Sequence, residues 1–231
     1  MTIASHDSPT SATQLEGAYE KIRGDLSDSF SIRMRRAISW LTKAQPLHES
    51  NDFDGAFIFF WISFNAMYAV EPGTGRIPSD TAQMTGFFDK LLGFDQSDSI
   101  YGTLWERFPD SIRTLVKNQY VFTPYWDYTL GRDHDVDWET ELKKSEITAQ
   151  TALTNKNRTS GLLSIVFDRL YTLRNQLIHG SATYQGSVNR DQVKDGSSIL
   201  HYLVPQFVFI MLEQPSHDWG EVMYPAISPR R

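Results

Sequence analysis

The sequence predicts an all-α fold, and two observations carry this prediction. Apolar residues recur at steps of three and four over three long stretches, which places them along one face of an α-helix, and a further stretch, the second along the chain, is apolar nearly all round. Helix boundary signals flank two of these stretches: Asn51 or Asp52 can cap the second, and Gly180 follows the third. The four stretches cover approximately residues 15–41, 52–70, 159–179 and 198–212.

Composition limits the classes of function. With 231 residues, 40% of them hydrophobic, the chain is long enough for one domain, or one domain with an insertion. Its formal charge of −6 argues against a protein that coats RNA non-specifically, but allows a nuclease with a small basic site. The absence of cysteine excludes disulfides, cysteine–zinc sites and thiol catalysis.

The ends of the chain and its apolar runs predict no membrane partner. Residues 1–12 are polar and lack an apolar signal core, so we expect a disordered leader before a helical domain over 13–214. The most apolar run, residues 56–70, is too short to span a bilayer. We therefore expect a cytoplasmic protein. Residues 215–231, which contain three prolines, are expected to form an irregular, partly packed tail.

The first helical stretch is either one long helix or two helices broken near Gly24, and we expect Pro46 to close it. A basic cluster on this stretch, Arg33, Arg35 and Arg36, is either a solvated face or part of an RNA track. The next helix, up to about Val70, is apolar nearly all round, which predicts a central helix buried on several sides.

Residues 71–158 are less regular and are predicted to be an insertion that serves substrate choice or dimer contact. Four weaker helices are expected in it: Thr81–Leu92, Ser97–Arg107, Pro109–Asn118 and Trp138–Leu153. Residues 120–138 are expected to form a loop. After the insertion, two further helices are expected at Ser187–Lys194 and Ser198–Leu212, with Pro205 breaking, kinking or restarting the second.

The helix predicted from Thr159 has two faces and one residue that does not fit them. A narrow polar strip contains Ser164, Asp168, Thr172, Asn175 and His179. Arg174 projects from the opposite apolar arc, so it must be paired, reach water or face a cleft. Asp54 is a candidate counter-ion, although it can equally serve its own helix dipole. Because Arg174 and His179 lie about 140° apart around the helix, they suit a site that a second copy of the chain completes.

The motif Arg174-Asn175-x-x-x-His179-Gly180 resembles the R-x-x-x-x-H signature of HEPN domains. The aromatic stretch 59–68 is similar to the second helix of a bacterial HEPN group, and 189–192, 218–220 and 224–225 are similar to its later segments. The resemblance implies a four-to-five-helix bundle with an insertion between the second and third bundle helices. It also implies a metal-independent endoribonuclease that forms a homodimer with a composite site.

On this hypothesis the 2′-hydroxyl of RNA attacks the neighbouring phosphorus, so the protein supplies only proton transfer and charge stabilisation. His179 is assigned to acid–base work, Arg174 to the developing negative charge and Asn175 to orientation. Asp54, Asp168 and Tyr171 are supporting residues. No cofactor or metal is expected, since the six histidines lack metal-ligand spacing. The structural alternative is that Arg174 pairs with a buried carboxylate and His179 ends the helix against its dipole.

The expected partners are RNA and a second copy of the chain, with Phe167, Tyr171 and Ile178 as the dimer surface. The resemblance also implies a role in phage defence or toxin-type growth control, with an antitoxin. Ser181 stands where toxins silenced by a nucleotidyltransferase antitoxin often carry tyrosine, so that form of regulation is not expected. Two alternatives remain: a catalytically inactive HEPN module that binds a nucleotide or partner protein, and a purely structural helical dimer.

Overall fold

The computed structural model describes residues 9–71 and 79–225, and these residues form ten α-helices and no β-strand. The all-α prediction is therefore confirmed for this part of the chain. The helices are α1 (Ala12–Ile22), α2 (Asp28–Glu49), α3 (Phe53–Tyr68), α4 (Asp80–Phe94), α5 (Ser99–Gly102), α6 (Pro109–Lys117), α7 (Thr123–Thr129), α8 (Trp138–Leu153), α9 (Thr159–Ile178) and α10 (Arg190–Glu213). Parts of the predicted leader (1–8), insertion (72–78) and tail (226–231) lie outside the described residues.

The chain enters the bundle at Ser11, whose side chain and that of Gln14 form a capping box at the start of α1. Residues 9–12 of the predicted leader are fixed to α2, because Gln45 accepts a hydrogen bond from the backbone N–H of Ala12 (2.8 Å) and donates one to the carbonyl of Thr10 (3.0 Å). A 3₁₀ turn, Arg23–Asp25, separates α1 from α2, as the glycine at 24 predicts.

Proline 46 does not close α2, so that expectation was wrong. The helix continues to Glu49. Pro46 lies in its last two turns, where a missing N–H removes only one helical hydrogen bond. Its carbonyl still accepts from the N–H of Ser50 at 3.0 Å. The end of the helix is therefore set three residues later.

Helix α3 is the central helix that its composition predicts. The Asp52 side chain caps it by accepting from the N–H of Gly55 at 3.0 Å. The helix packs against α2, α4, α9 and α10. The Ser63 hydroxyl, which is buried, donates to the carbonyl of Ala37 at 2.7 Å, so its polar group is satisfied inside the core.

A cluster of phenylalanines forms the centre of the core. Phe64 of α3 lies 4.5 Å from Phe167 of α9 between ring centroids, and Phe167 lies 4.9 Å from Phe88 of α4. Phe207 of α10 completes the cluster at 6.1 Å from Phe167. Helix α4 belongs to the predicted insertion, yet it contributes to this core. The first part of the segment 71–158 is thus not peripheral in its packing.

The four weaker helices predicted in this segment correspond to α4, α5 with the π-helical turn Thr103–Arg107, α6 and α8. The loop predicted over 120–138 is partly wrong, because it contains α7. Pro124 stands in the first turn of α7, where its fixed φ favours the helix. The ring of Tyr125 packs edge-on against Trp126 and Trp138, with centroids 5.2 and 5.1 Å apart. Aromatic packing therefore orders a stretch that composition alone describes as a loop.

The two helices expected near the C-terminus are one continuous helix, α10, with Pro205 inside it. Neither a break nor a restart occurs at this proline. Pro205 removes one backbone hydrogen bond, but α10 buries apolar side chains on both sides of it, and this burial outweighs the loss. These side chains include Leu200, Leu203, Val204, Phe207 and Val208.

Two of the three arginines in the predicted basic cluster hold the C-terminal tail. Arg33 is fully buried and donates to the carbonyls of Met67 (2.5 Å), Ala69 (3.0 Å) and Gly220 (2.9 Å). Arg36 donates to the carbonyls of Met223 and Tyr224 at 2.7 and 2.6 Å. Burial lowers the pKa of Arg33 to about 10. Neither guanidinium is thus free for an RNA track, and two residues of the tail, Trp219 and Val222, are buried.

A stacked pair of histidines lies between α2 and α10. The rings of His48 and His201 are 4.3 Å apart and nearly parallel, and Phe60 packs edge-on against His201. Burial lowers the pKa of both, that of His201 to about 4, where the nearby His48 adds to the effect. The Nδ1 of His201 is buried without a hydrogen-bond partner.

Because of this histidine pair, we expect the free energy of unfolding to depend on pH. The unfolded chain takes up a proton near the ordinary histidine pKa of about 6.5, whereas folded His201 takes one only near pH 4. Stability is therefore full above pH 6.5 and is lost as pH falls towards 4, by on the order of 2 kcal/mol for this residue. The free energy of unfolding, measured by urea denaturation at pH 7.5 and at pH 4.5, should fall less between these two pH values in His201→Phe than in the wild type.

Exposed His134 provides the matched control, because His134→Gln should retain the wild-type loss. An equal loss in wild type and His201→Phe would contradict the assignment to this pair.

Candidate functional site

The Arg-x-x-x-x-His motif lies at the C-terminal end of α9, with Arg174 inside the helix and His179 as its C-cap. Most of the apolar face of α9 packs into the core, which bears on the residues predicted to form a dimer surface. Phe167 is fully buried, and Tyr171 is half-buried with its ring 6.1 Å from that of Trp61. Ile178, which is 46% exposed, is the one member of that predicted surface that faces solvent. The dimer prediction is therefore corrected for Phe167, because α3 and α4 already cover that face.

The helix ends at the glycine that the sequence identified. Gly180 adopts the left-handed conformation at φ +71°. The N–H of Ser181 donates to the carbonyl of Gln176 (2.9 Å) and that of Gly180 to Leu177 (3.3 Å). These two bonds form a Schellman turn, which satisfies the last carbonyls of the helix. His179 precedes the glycine and its side chain is exposed.

Arg174 is half-buried and contacts its sequence neighbour. Its Nη1 donates to Oδ1 of Asn175 at 2.8 Å, while its Nε is buried without a partner. Burial, together with the charges of Asp80 and Tyr171, raises the pKa of Tyr68, and the Arg174 guanidinium opposes this rise. Arg174 thus lies beside the end of α3, and Asn175 links it to the polar strip.

Asp54 does not serve Arg174. Its carboxylate binds Arg190, with Nη1 and Oδ2 only 2.6 Å apart, and so joins the start of α3 to the start of α10. The candidate counter-ion pair is therefore corrected. Sequence reasoning gave no signal for Arg190 as the partner, because the two residues are distant in the chain.

Asp168 also has another partner, the buried Arg169, at 2.7 Å. The Arg169 guanidinium donates to the Ser145 hydroxyl at 2.9 Å and lies 4.1 Å from the ring centroid of Phe122. Burial raises the pKa of Asp168, and Arg169 opposes this rise. This cluster fixes α9 to α8 and to the segment before α7. The carboxylate of Asp168 thus has its partner in this cluster, and that partner is not His179.

The polar strip of α9 faces an open groove of about 570 Å³, here called the α7–α9 groove. It is lined by Thr123, Trp126, Leu130, Arg132, Thr172, Asn175, Gln176, His179 and Ser181. Of the predicted catalytic residues, Asn175 and His179 line it, and Arg174 does not. Trp126 and Arg132 were missed, because they belong to a stretch that was expected to be a loop.

Hydrogen bonds hold the two walls of the groove together. The carbonyl of Tyr120 accepts from Nε2 of Gln176 on α9 (2.5 Å) and from Nε1 of Trp126 on α7 (2.9 Å). The hydroxyls of Thr123 and Thr172 are 2.9 Å apart. Trp126 is therefore positioned relative to the motif helix by a shared acceptor, and the groove is part of the folded structure of the single chain.

Chemically, the groove offers an exposed imidazole beside a side-chain amide, which suits proton transfer at a bound polar group. Within residues 9–71 and 79–225, no group of three histidine or acidic side chains is placed to hold a metal ion. Among the same residues, none of the helices has the length and apolar character required to cross a bilayer.

Comparison with known proteins identifies no family for this chain. No protein-family model matches it, and no curated protein or solved structure matches it either. The HEPN resemblance therefore rests on the motif residues and the aromatic helix in the sequence.

Proposed function

We propose that this protein is an endoribonuclease of the HEPN type. The observation that carries the proposal is that two of the three motif residues line the α7–α9 groove. His179 and Asn175 line the groove, and Arg174 is hydrogen-bonded to Asn175. The three motif residues are thus connected at the end of one helix, next to a groove that is large enough for a ligand.

The proposed reaction is an internal transesterification of RNA. The 2′-oxygen forms a bond to the adjacent phosphorus as the bond from phosphorus to the 5′-oxygen breaks. A proton leaves the 2′-hydroxyl and a proton joins the departing 5′-oxygen, and His179 performs one of these transfers. The products are a 2′,3′-cyclic phosphate and a 5′-hydroxyl, and no water is consumed.

Arg174 contacts Asn175 within one chain, and we propose that it stabilises phosphate charge in a site shared with a second copy. Only one of its five N–H donors is used by Asn175. Apolar side chains close to the motif are available for such a symmetric contact. Ile178, Tyr184 and Val188 are 46%, 65% and 70% exposed. A monomer by light scattering at the concentration where the protein cuts RNA would argue against this shared site.

The test of the function is incubation of the purified protein with 5′-labelled RNA in the presence of a chelator. We expect internal cleavage, with 3′ ends that resist ligation until acid opens the cyclic phosphate and phosphatase removes the resulting monophosphate. RNA binding without any cleavage would instead identify the inactive HEPN alternative. For the proposed toxin or phage-defence role, induced expression in bacteria should arrest growth, and a catalytically dead variant should not.

Replacement of Arg174 should separate the effect of its positive charge from the effect of its hydrogen bonds to two oxygens. Arg174→Lys keeps the positive charge but loses the planar fork that can grip two oxygens. We expect cleavage to fall by about 10-fold or more in Arg174→Lys and further in Arg174→Ala. The fall in cleavage is measured as the initial rate at saturating RNA. Arg113→Ala, at a side chain that is 40% exposed, is the control. Wild-type rates in Arg174→Ala would remove Arg174 from the mechanism.

A further inference from the structure

The α7–α9 groove differs in charge from three other surface cavities. Its lining has two basic side chains, Arg132 and His179, and no carboxylate. Three other surface cavities in the described part of the chain each include at least two carboxylates. In a protein with a net charge of −6, this groove is therefore a local site for an anion.

The guanidinium of Arg132 makes only a weak ion pair within the chain. Its Nη1 lies 3.5 Å from Oδ1 of Asp127, at the limit of a hydrogen bond, and its side chain is 65% exposed. Its backbone is nonetheless fixed. Gly131 adopts φ +67°, and the N–H of Arg132 donates to the carbonyl of Asp127 at 2.8 Å. A guanidinium on a fixed backbone with a weak partner can exchange that partner for a phosphate.

Trp126 supplies an aromatic surface in the same groove. Its indole N–H is used by the carbonyl of Tyr120 (2.9 Å), and Tyr125 packs edge-on against its ring. The ring is half-exposed, so its orientation is fixed while part of it remains available to a ligand. Such a ring is suited to stacking on an unpaired base.

We propose that the α7–α9 groove binds single-stranded RNA, with Arg132 on a phosphate and Trp126 stacked on a base beside the bond that His179 serves. This inference deepens the proposed ribonuclease function and rests on it for the class of ligand. It assigns the stretch between α6 and α8 to substrate binding, and it places one phosphate-binding cation in the same chain as the acid–base histidine.

A competing explanation exists for the two basic side chains. His179 is the C-cap of α9 and Arg132 lies three residues after the end of α7, and the dipole of a helix favours positive charge near its C-terminus. If they served only the dipole, Arg132→Ala would lower thermal stability and leave RNA affinity unchanged. The salt dependence of binding separates the two explanations, because only a phosphate contact contributes to it.

The experiment measures fluorescence anisotropy of a short labelled 2′-O-methyl RNA of mixed sequence, which has no 2′-hydroxyl to attack phosphorus. We expect Arg132→Ala to weaken binding by about 10-fold and to reduce the slope of log affinity against log salt by about 0.7. Trp126→Ala should weaken binding by roughly 5-fold or more and leave that slope unchanged. Duplex RNA should bind more weakly than the single strand.

Two matched controls exist in the chain. Arg23 is exposed and paired with Glu20 at 3.3 Å, much as Arg132 is with Asp127. Trp105 is an exposed tryptophan, 36% accessible, outside the groove lining. Arg23→Ala and Trp105→Ala should bind RNA as the wild type does.

Absence of RNA binding by the wild type, wild-type affinity in both groove variants, or equal affinity for duplex and single strand would each overturn this inference. Binding that depends on Arg132 and Trp126 in a protein that cuts no RNA would overturn the proposed ribonuclease function alone.

Discussion

His179→Ala is expected to reduce RNA cleavage by about 10²- to 10⁴-fold, the usual cost of removing a general acid or base. The fold should be retained, because the imidazole is exposed and the turn around it is held by backbone groups. The N–H of residue 179 donates to the carbonyl of Asn175 at 3.0 Å, and an alanine keeps this bond. The measurement is the single-turnover rate on labelled RNA, with thermal melting in parallel.

His134→Ala is the control for this prediction, since His134 is also exposed but does not line the α7–α9 groove. It should cut RNA at the wild-type rate. Cleavage by His179→Ala at the wild-type rate would refute the acid–base assignment. A loss of cleavage together with a melting temperature far below that of the wild type would assign His179 a structural role instead.

Arg33→Ala is expected to cost about 3 kcal/mol or more in the free energy of unfolding. The buried guanidinium donates three hydrogen bonds to carbonyls, those of Met67, Ala69 and Gly220. Alanine leaves these acceptors without their charged donor and opens a cavity, and hydrogen bonds to charged groups are worth about 1.5–3 kcal/mol each. Urea denaturation followed by circular dichroism measures the change.

Arg35→Ala is the matched control, two residues along the same helix and exposed. Its free energy of unfolding should stay within about 0.5 kcal/mol of the wild type. If Arg33→Ala and Arg35→Ala had the same small effect, Arg33 would not be what holds the C-terminal segment against α2 and α3. Trp219 offers a second readout, because it is 5% exposed and its fluorescence should report release of the tail in Arg33→Ala.

Helices with a strong apolar period and a clear cap were predictable from sequence. Helix α3 begins after Asp52 and α9 ends before Gly180, as expected. The errors at Pro46 and Pro205 have one cause. A proline removes a single helical hydrogen bond, and burial of neighbouring side chains exceeds that loss. The amount of burial depends on residues far away in the chain, so local sequence does not reveal it.

The candidate site was also predictable from the sequence only in part. The motif residues Asn175 and His179 were predictable, because both lie on one strip of one helix. The opposite wall of the groove was not, since long-range hydrogen bonds bring the segment with Trp126 and Arg132 to α9, from Gln176 to the carbonyl of Tyr120 and between the hydroxyls of Thr123 and Thr172. The counter-ions were mispredicted for the same reason: Asp54 pairs with Arg190, 136 positions away in sequence.

By itself, the sequence determined the all-α class, the central apolar helix and the position of the motif at a helix end. Each of these depends on side chains within one or two turns of each other, whose relative placement the helical repeat dictates. Tertiary structure alone decided which arginines are buried, which carboxylates they pair with and which surface faces His179. Those outcomes depend on contacts between helices distant in the chain, where burial and charge pairing are settled by packing.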